Sequence, residues 1–273
     1  MTRISIFAKM AFRTQGKYLA RVSSIIRAQQ IADRLGAKLN PKSGYDHDIC
    51  IYIKPHVNAG DDFKFEGQPY LDIIDGWGLL PLLKMHPEVP VIACSQLDVQ
   101  VLSAAVPNKV ILIPQHHCNF ERLSRTRREI TVVGVIGTPH AFPFLPPALK
   151  SELGKRGLTL LEYSHFTTRQ DIINFYQKID VQIVWRPYSK KLSNPLKLVN
   201  SSSFGIPTLA LDEPCLSEMT GCYIPVSTFD EFLTQLDSLR SSPTMYTQYS
   251  QRCLAKAQEY HIDHVAKLYR QLT

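Results

Sequence analysis

The sequence predicts an α/β protein built on parallel sheets, and three observations carry that prediction. Short, nearly all-apolar runs such as Val110 to Pro114 and Val181 to Trp185 recur along the chain, each suited to a strand buried on both faces. Stretches with apolar residues at three- and four-residue spacing separate them, as helices between parallel strands must. At 273 residues the chain is long enough for two units of about 100 to 150 residues each.

Composition narrows the class further. With 44% hydrophobic and 20% charged residues the chain reads as an ordinary globular protein. Its apolar runs fall well short of the roughly 20 residues that a bilayer span needs, and the N-terminus lacks the apolar core of a signal peptide, so a cytoplasmic location is expected. Cys50, Cys94, Cys118, Cys215, Cys222 and Cys253 are scattered with no Cys-x-x-Cys pair, which favours free thiols over disulfides or zinc. A net charge of +7 implies an anionic partner, whether a nucleotide diphosphate, the inner membrane surface or nucleic acid.

In the first half, Ile4 to Ala8 reads as a strand and Tyr18 to Leu35 as a helix, amphipathic through Leu19, Val22, Ile25, Ile26, Ile31 and Leu35. Between them lies an exposed loop with Lys9, Arg13, Gly16 and Lys17. Asp48 to Lys54 is the next strand and residues 56 to 68 a loop. Then follow strand Tyr70 to Asp75, helix Gly78 to His86, strand Val89 to Cys94, helix Gln96 to Ala105 and strand Val110 to Pro114. Ligands of parallel sheets collect at the carboxyl ends of the strands, where the turn Asp75-Gly76-Trp77-Gly78 falls. Asp75 there suits orienting or deprotonating a hydroxyl, or capping the helix that follows. His116 and His117 lack partners at metal-ligand spacing and read as surface residues, so no metal site is expected. Residues 122 to 129, rich in arginine and without apolar period, read as a linker.

The second half opens with strand Ile130 to Ile136, which ends in Gly137-Thr138. Helix Leu145 to Arg156, strand Leu158 to Tyr163, the loop Ser164-His165-Phe166-Thr167 and helix Thr168 to Lys178 follow. After Val181 to Trp185 comes a basic loop: Arg186, Lys190, Lys191 and Lys197, with no acid among residues 186 to 197. Ser193 and Asn194 are N-cap residues, Pro195 suits the first helical position and Gly205 ends the helix. Lys197, Asn200 and Ser201 recur at helical spacing on one face. A helix start with unpaired N–H groups beside several cations suits a phosphate or diphosphate; a solvated basic loop on an ordinary core helix is the alternative. Thr208 to Leu211 and Cys222 to Pro225 are strands, and Thr228 to Arg240 and Tyr246 to Leu272 closing helices.

In order and spacing, Ile179-Asp180-Val181, Pro195-Leu196-Lys197-Leu198-Val199-Asn200 and Phe204-Gly205-Ile206-Pro207-Thr208 resemble the donor-site segment of the group-one, nucleotide-sugar-dependent glycosyltransferases of the GT-B fold. Ile113-Pro114 and Phe120-Glu121 resemble the segment that closes the N-terminal domain there, with Gln115-His116 in place of Asn-Gly. The resemblance implies two Rossmann-like domains with parallel sheets facing across a cleft. Residues 1–121 would form the acceptor domain, 122–129 the linker and 130–245 the donor domain, with a final helix over 246–273 packing back on the first.

It further implies donor contacts from Gly137, Thr138, His165, Phe166, Ser193, Asn194, Lys197, Asn200 and Ser201, and an acceptor loop of Gly16, Lys17 and Trp77. The expected catalytic groups are Asp75, Arg186 and Lys197, the two cations stabilising charge on the departing diphosphate. The nucleotide-diphosphate sugar is a substrate, and neither a cofactor nor a metal is called for. The implied reaction moves a sugar to a hydroxyl of a glycan or lipid-linked acceptor in cell-surface glycan synthesis, with peripheral contact to anionic membrane. Glycosylation of DNA bases and non-catalytic nucleotide-sugar binding are the alternatives. The sequence departs from the family in two places. The turn at Gly134 and Gly137 lacks the family's basic residue, and the paired glutamates fall on Leu192 and Asn200. Asn200 can hydrogen-bond a hydroxyl but cannot act as a base, which leaves retention versus inversion undecided.

Overall fold

A computed structural model describes the chain except residues 1–2, 15–16, 21, 59–60, 125–128 and 187–190, and for 12–14 and 17–20 it describes the backbone alone. Two compact units emerge: Met1–His116 with Lys190–Asn194 and Ile262–Thr273, and His117–Ser189 with Pro195–His261. The sequence put this boundary at residue 121 and the returning segment at 246–273.

In the first unit, strands β1 (Ile4–Ala8), β4 (Lys38–Leu39), β5 (Ile49–Ile53), β6 (Gln68–Asp72), β7 (Val91–Ala93) and β8 (Val110–Leu112) form one sheet in the order β4-β1-β5-β6-β7-β8. Its strands run parallel, with Ile4 opposite Ile49 and Ala8 opposite Ile53 at the centre. Every side chain of β5 is buried, so a polar residue on either face would leave an unpaired group in the core. Helices α1 (Val22–Ser24) and α2 (Gln30–Leu35), joined by a π turn over Ile25–Gln29, and α3 (Leu80–Met85) and α4 (Gln96–Ala105) belong to this unit. So does α10 (Ile262–Arg270), which buries Ile262, Val265, Ala266 and Tyr269, one helical stripe. Arg27 and Asp72, both fully buried, meet at 2.6 Å. Arg27 also donates to the carbonyls of Ile113 and Pro114, and Tyr269 donates to Asp72 at 3.3 Å. The π turn and α10 are thus both tied to the end of β6, the first by a buried ion pair and the second by a hydrogen bond.

The hairpin β2 (Ala11–Thr14) and β3 (Lys17–Ala20) corrects the expected loop and the expected helix start at Tyr18. Antiparallel pairing takes in Tyr18 to Ala20, and the helix begins only at Val22. Phe12, Thr14 and Tyr18 are strand formers, and local pairing overrides the weaker helical period. Gly16 lies outside the described residues, and so does the side chain of Lys17. The expected closing helix over Tyr246 to Leu272 is also broken. Helix α9 (Pro243–Ala257) runs into a 3-10 turn at Gln258–Tyr260, and His261 is extended at ψ 143° before α10. The break is pinned by His117 N–H donating to Tyr260 O at 3.1 Å and by His261 Nε2 lying 3.0 Å from Phe120 O.

The second sheet holds β9 (Val132–Ile136), β10 (Thr159–Tyr163), β11 (Val181–Val184), β12 (Thr208–Leu211) and β13 (Ile224–Val226) in the order β10-β9-β11-β12-β13, again parallel. Helices α5 (Leu149–Lys155), α6 (Arg169–Lys178), α7 (Leu196–Ser203), α8 (Phe229–Ser241) and α9 complete this unit. Thr168 and Asp171 close α6 with a reciprocal capping box, and the backbone and hydroxyl donors of Thr167 and Thr168 hold Asp171 down at about 2. Asp180 accepts the N–H groups of Thr131 and Val132 at 2.9 Å, fixing where β9 begins. Gly134 lets β9 and Ile179 approach, since a Cβ there would lie 2.3 Å from Ile179 Cγ2.

His116 and His117, expected at the surface, are buried. His116 Nε2 lies 3.0 Å from Ile26 O, and the His117 ring packs on His261 with centroids 5.3 Å apart. The six cysteines are free and buried. Among the described residues no helix is long and apolar enough to cross a membrane.

Candidate functional site

The carboxyl ends of the second sheet gather the polar groups. β9 runs into Gly137 and Thr138, β11 into Trp185 and Arg186, and β12 into Asp212 and Glu213. Helix α7 sets the first turn that brings in Lys197. Its N-cap is Pro195, at φ −83° and ψ 29° and without a side-chain cap, rather than the expected Ser193 or Asn194. Pro195 O accepts from Val199 N–H at 2.9 Å, so the proline closes the first turn itself. Ser193 is engaged in the first unit, its N–H donating to Asp98 Oδ1 at 2.9 Å and its carbonyl accepting from Ser95 Oγ at 2.8 Å. Leu192 beside it is buried in that unit's core.

Lys197 is half-buried, and its ammonium lies 3.3 Å from where a Cβ on Gly137 would sit. Any side chain at Gly137 would crowd it. Burial first, then the nearby Arg186 charge, push Lys197 down to about 8, with Glu213 opposing. Arg186 Nη2 faces Glu213 Oε2 at 3.3 Å, and both side chains are largely buried, at 19% and 10% exposure. Cys215 Sγ lies 3.7 Å from the same carboxylate oxygen. The other oxygen, Glu213 Oε1, is buried without a hydrogen-bond partner among the described residues. Gly137, Arg186, Lys197 and Glu213 thus form one cluster in which cations outnumber the acid.

The remaining donor candidates are placed differently. Thr138 is exposed at the start of a 3-10 turn over Pro139–Phe144. His165 is exposed beyond β10, and Phe166 is half-buried with its ring centroid 6.5 Å from Tyr163. Asn200 turns inward, Oδ1 accepting from Cys118 N–H at 2.8 Å. Ser201 Oγ, fully buried, pairs with Leu198 O and with Thr208 Oγ1 at 2.7 Å. The polar face of α7 beyond Lys197 therefore fastens the helix within its own unit. In the first unit, Asp75 is exposed beyond β6 and takes Lys54 Nζ at 2.5 Å. Trp77 carries Lys191 over its ring, Nζ 4.6 Å from the centroid.

No protein-family model and no curated protein matches the chain in sequence. Solved structures do match in shape. HepE of Anabaena, solved with UDP and glucose, superposes with a TM-score of 0.61 over 99% of both chains at 11% identity. Sucrose-phosphate synthase of Thermosynechococcus elongatus gives 0.58 at 12% identity, over 98% of this chain and 88% of that one. A DNA-modifying β-glucosyltransferase, solved with and without uridine diphosphoglucose, gives 0.58 at 12% identity over 99% of both chains. The chain has the GT-B fold.

Within this GT-B chain the sequence reading missed Glu213. The carboxyl-end rule that picked out the turn at Asp75 applies equally to β12, and applying it to each strand in turn finds the acid. Among the described residues, no group of three His, Cys, Asp or Glu side chains is placed to hold a metal ion.

Proposed function

We propose that the chain is a glycosyltransferase that moves a sugar from a nucleotide diphosphate to a hydroxyl acceptor. The observation that carries this reading is the convergence of Arg186 and Lys197 beside Gly137 at the carboxyl ends of β9 and β11. Glycosidic cleavage moves negative charge onto the leaving diphosphate, and two fixed cations in a partly dry site stabilise it as it develops. Gly137 leaves room for phosphate oxygens to approach the backbone. In an inverting reaction Asp75, which takes Lys54 Nζ, would be the group that takes the proton of the acceptor hydroxyl. Two of the matched structures hold uridine nucleotides, so UDP-glucose is the first donor to test.

The proposal extends to a glycan or lipid-linked acceptor in cell-surface glycan synthesis at the inner membrane face, in line with the +7 net charge. Glucosylation of DNA bases is the second reading, favoured by the likeness to the DNA-modifying β-glucosyltransferase. DNA retention that falls steeply between low and moderate salt would select it. The central test is a pair of variants. Lys197→Ala should lower UDP-glucose turnover about 100- to 1,000-fold, the size of one lost charge-stabilising contact. Lys191→Ala, whose ammonium sits on Trp77, should leave it within about threefold. Equal losses would refute the placement of the diphosphate.

A further inference from the structure

Glu213 is the buried group that the proposed chemistry leaves unexplained. An ionised carboxylate accepts hydrogen bonds and donates none, and burying one with an open oxygen is costly. Among the described residues, Glu213 Oε1 has no hydrogen-bond partner, while Oε2 meets Arg186 at 3.3 Å and the Cys215 thiol at 3.7 Å. Arg186 is also a cation placed for the diphosphate. When it turns to a phosphate, Oε2 loses its guanidinium and the carboxylate has two open acceptor sites. The complement of two adjacent acceptors is a pair of neighbouring hydroxyls.

Strand order decides which hydroxyls. The sheet runs β10-β9-β11-β12, with His165 and Phe166 beyond β10, Gly137 and Arg186 beyond β9 and β11, and Glu213 beyond β12. A donor whose diphosphate lies over the middle pair has its nucleoside on one flank and its transferred sugar on the other. The ring side chains beyond β10 suit a base, which draws the ribose to that flank as well. The hydroxyl-accepting carboxylate lies on the opposite flank.

We infer that Glu213 is a specificity-determining residue that binds a pair of hydroxyls on the transferred sugar of the donor. The inference rests on the proposed nucleotide-sugar reading and adds the sugar subsite to it. Binding of UDP and of UDP-glucose to the full chain, measured by calorimetry for wild type and Glu213→Gln, tests it. Gln fills the same volume and keeps one acceptor, so the ligand-free thermal midpoint checks that the variant folds.

The expected result is a loss of about tenfold or more in UDP-glucose affinity, the scale of a hydrogen bond to a charged group, with UDP affinity within about twofold of wild type. Glu213→Asp, which keeps the charge but shortens the reach, should show the same split. Equal weakening of UDP and UDP-glucose would place the carboxylate on the ribose and overturn the inference alone. So would unchanged binding of both. A wild-type chain that binds neither ligand would overturn the uridine-donor reading together with the subsite.

Discussion

An ammonium held beside a guanidinium and away from water loses its proton easily, and Lys197 is in that position, pushed down to about 8. The sign follows directly. Below about pH 8 Lys197 is charged and attracts a diphosphate; as pH rises through about 8 that charge is lost. UDP-glucose affinity of the wild type should fall between pH 7 and 9, while Lys197→Arg, with a guanidinium that stays protonated, should hold it nearly level. A flat wild-type profile would show that Lys197 is not the titrating cation. Arg27 is the converse case. Burial opposes its charge, but Asp72 beside it outweighs that and pushes the guanidinium further up, while burial pushes the Asp72 carboxyl up against the pull of Arg27. Arg27→Met should cost about 3–5 kcal/mol in urea unfolding, because it strands Asp72 in the core. Tyr269→Phe, which removes only a 3.3 Å hydrogen bond to the same carboxylate, should cost about 1 kcal/mol.

Elements differ in how much of their placement is local. Most of the parallel strands were legible because they are largely apolar, and β11 and β12 start at Val181 and Thr208 as the sequence predicts; the two-residue β4, with Lys38 exposed, was not. Helix α4 was legible from end to end because Ser95 caps it locally. The break at His261 was not, since it depends on His117 and Phe120, remote in sequence; nor was the proline cap of α7, because Ser193 is taken by Asp98 and Ser95, nor the hairpin over Ala11 to Ala20, whose local pairing lies beneath a helical period. The candidate site divides in the same way. Arg186 and Lys197 could be read from a strand end and a helix start, whereas Lys191 rests on Trp77 and Asn200 on the backbone of Cys118. A spacing pattern carries no trace of either contact. Gly134 makes a prediction at this scale. A Cβ there would meet Ile179 Cγ2 at 2.3 Å and Phe175 Cζ at 2.9 Å, so Gly134→Ala should force β9 from α6 and lower stability by about 1–3 kcal/mol, seen as a lower thermal midpoint.

At the scale of the molecule, the chain passes between its two compact units more than once, because Lys190–Asn194 and Ile262–Thr273 both return to the first. The last segment is anchored there by Tyr269 on Asp72, by Tyr70 donating to Thr273 O at 2.5 Å and by an ion pair of Arg34 with Asp263. A chain stopped at His261 should therefore lose cooperative unfolding of the first unit while the second keeps its own transition, a split that calorimetry resolves. The buried thiols supply a built-in clock for the same question. Cys50 and Cys94 lie in the first unit, and Cys118, Cys215, Cys222 and Cys253 in the second, all of them shielded. A thiol-alkylating reagent added to the native protein can label them only as each region opens. Peptide mapping of the labelled positions over time would read the opening rate of each half separately, without a single substitution.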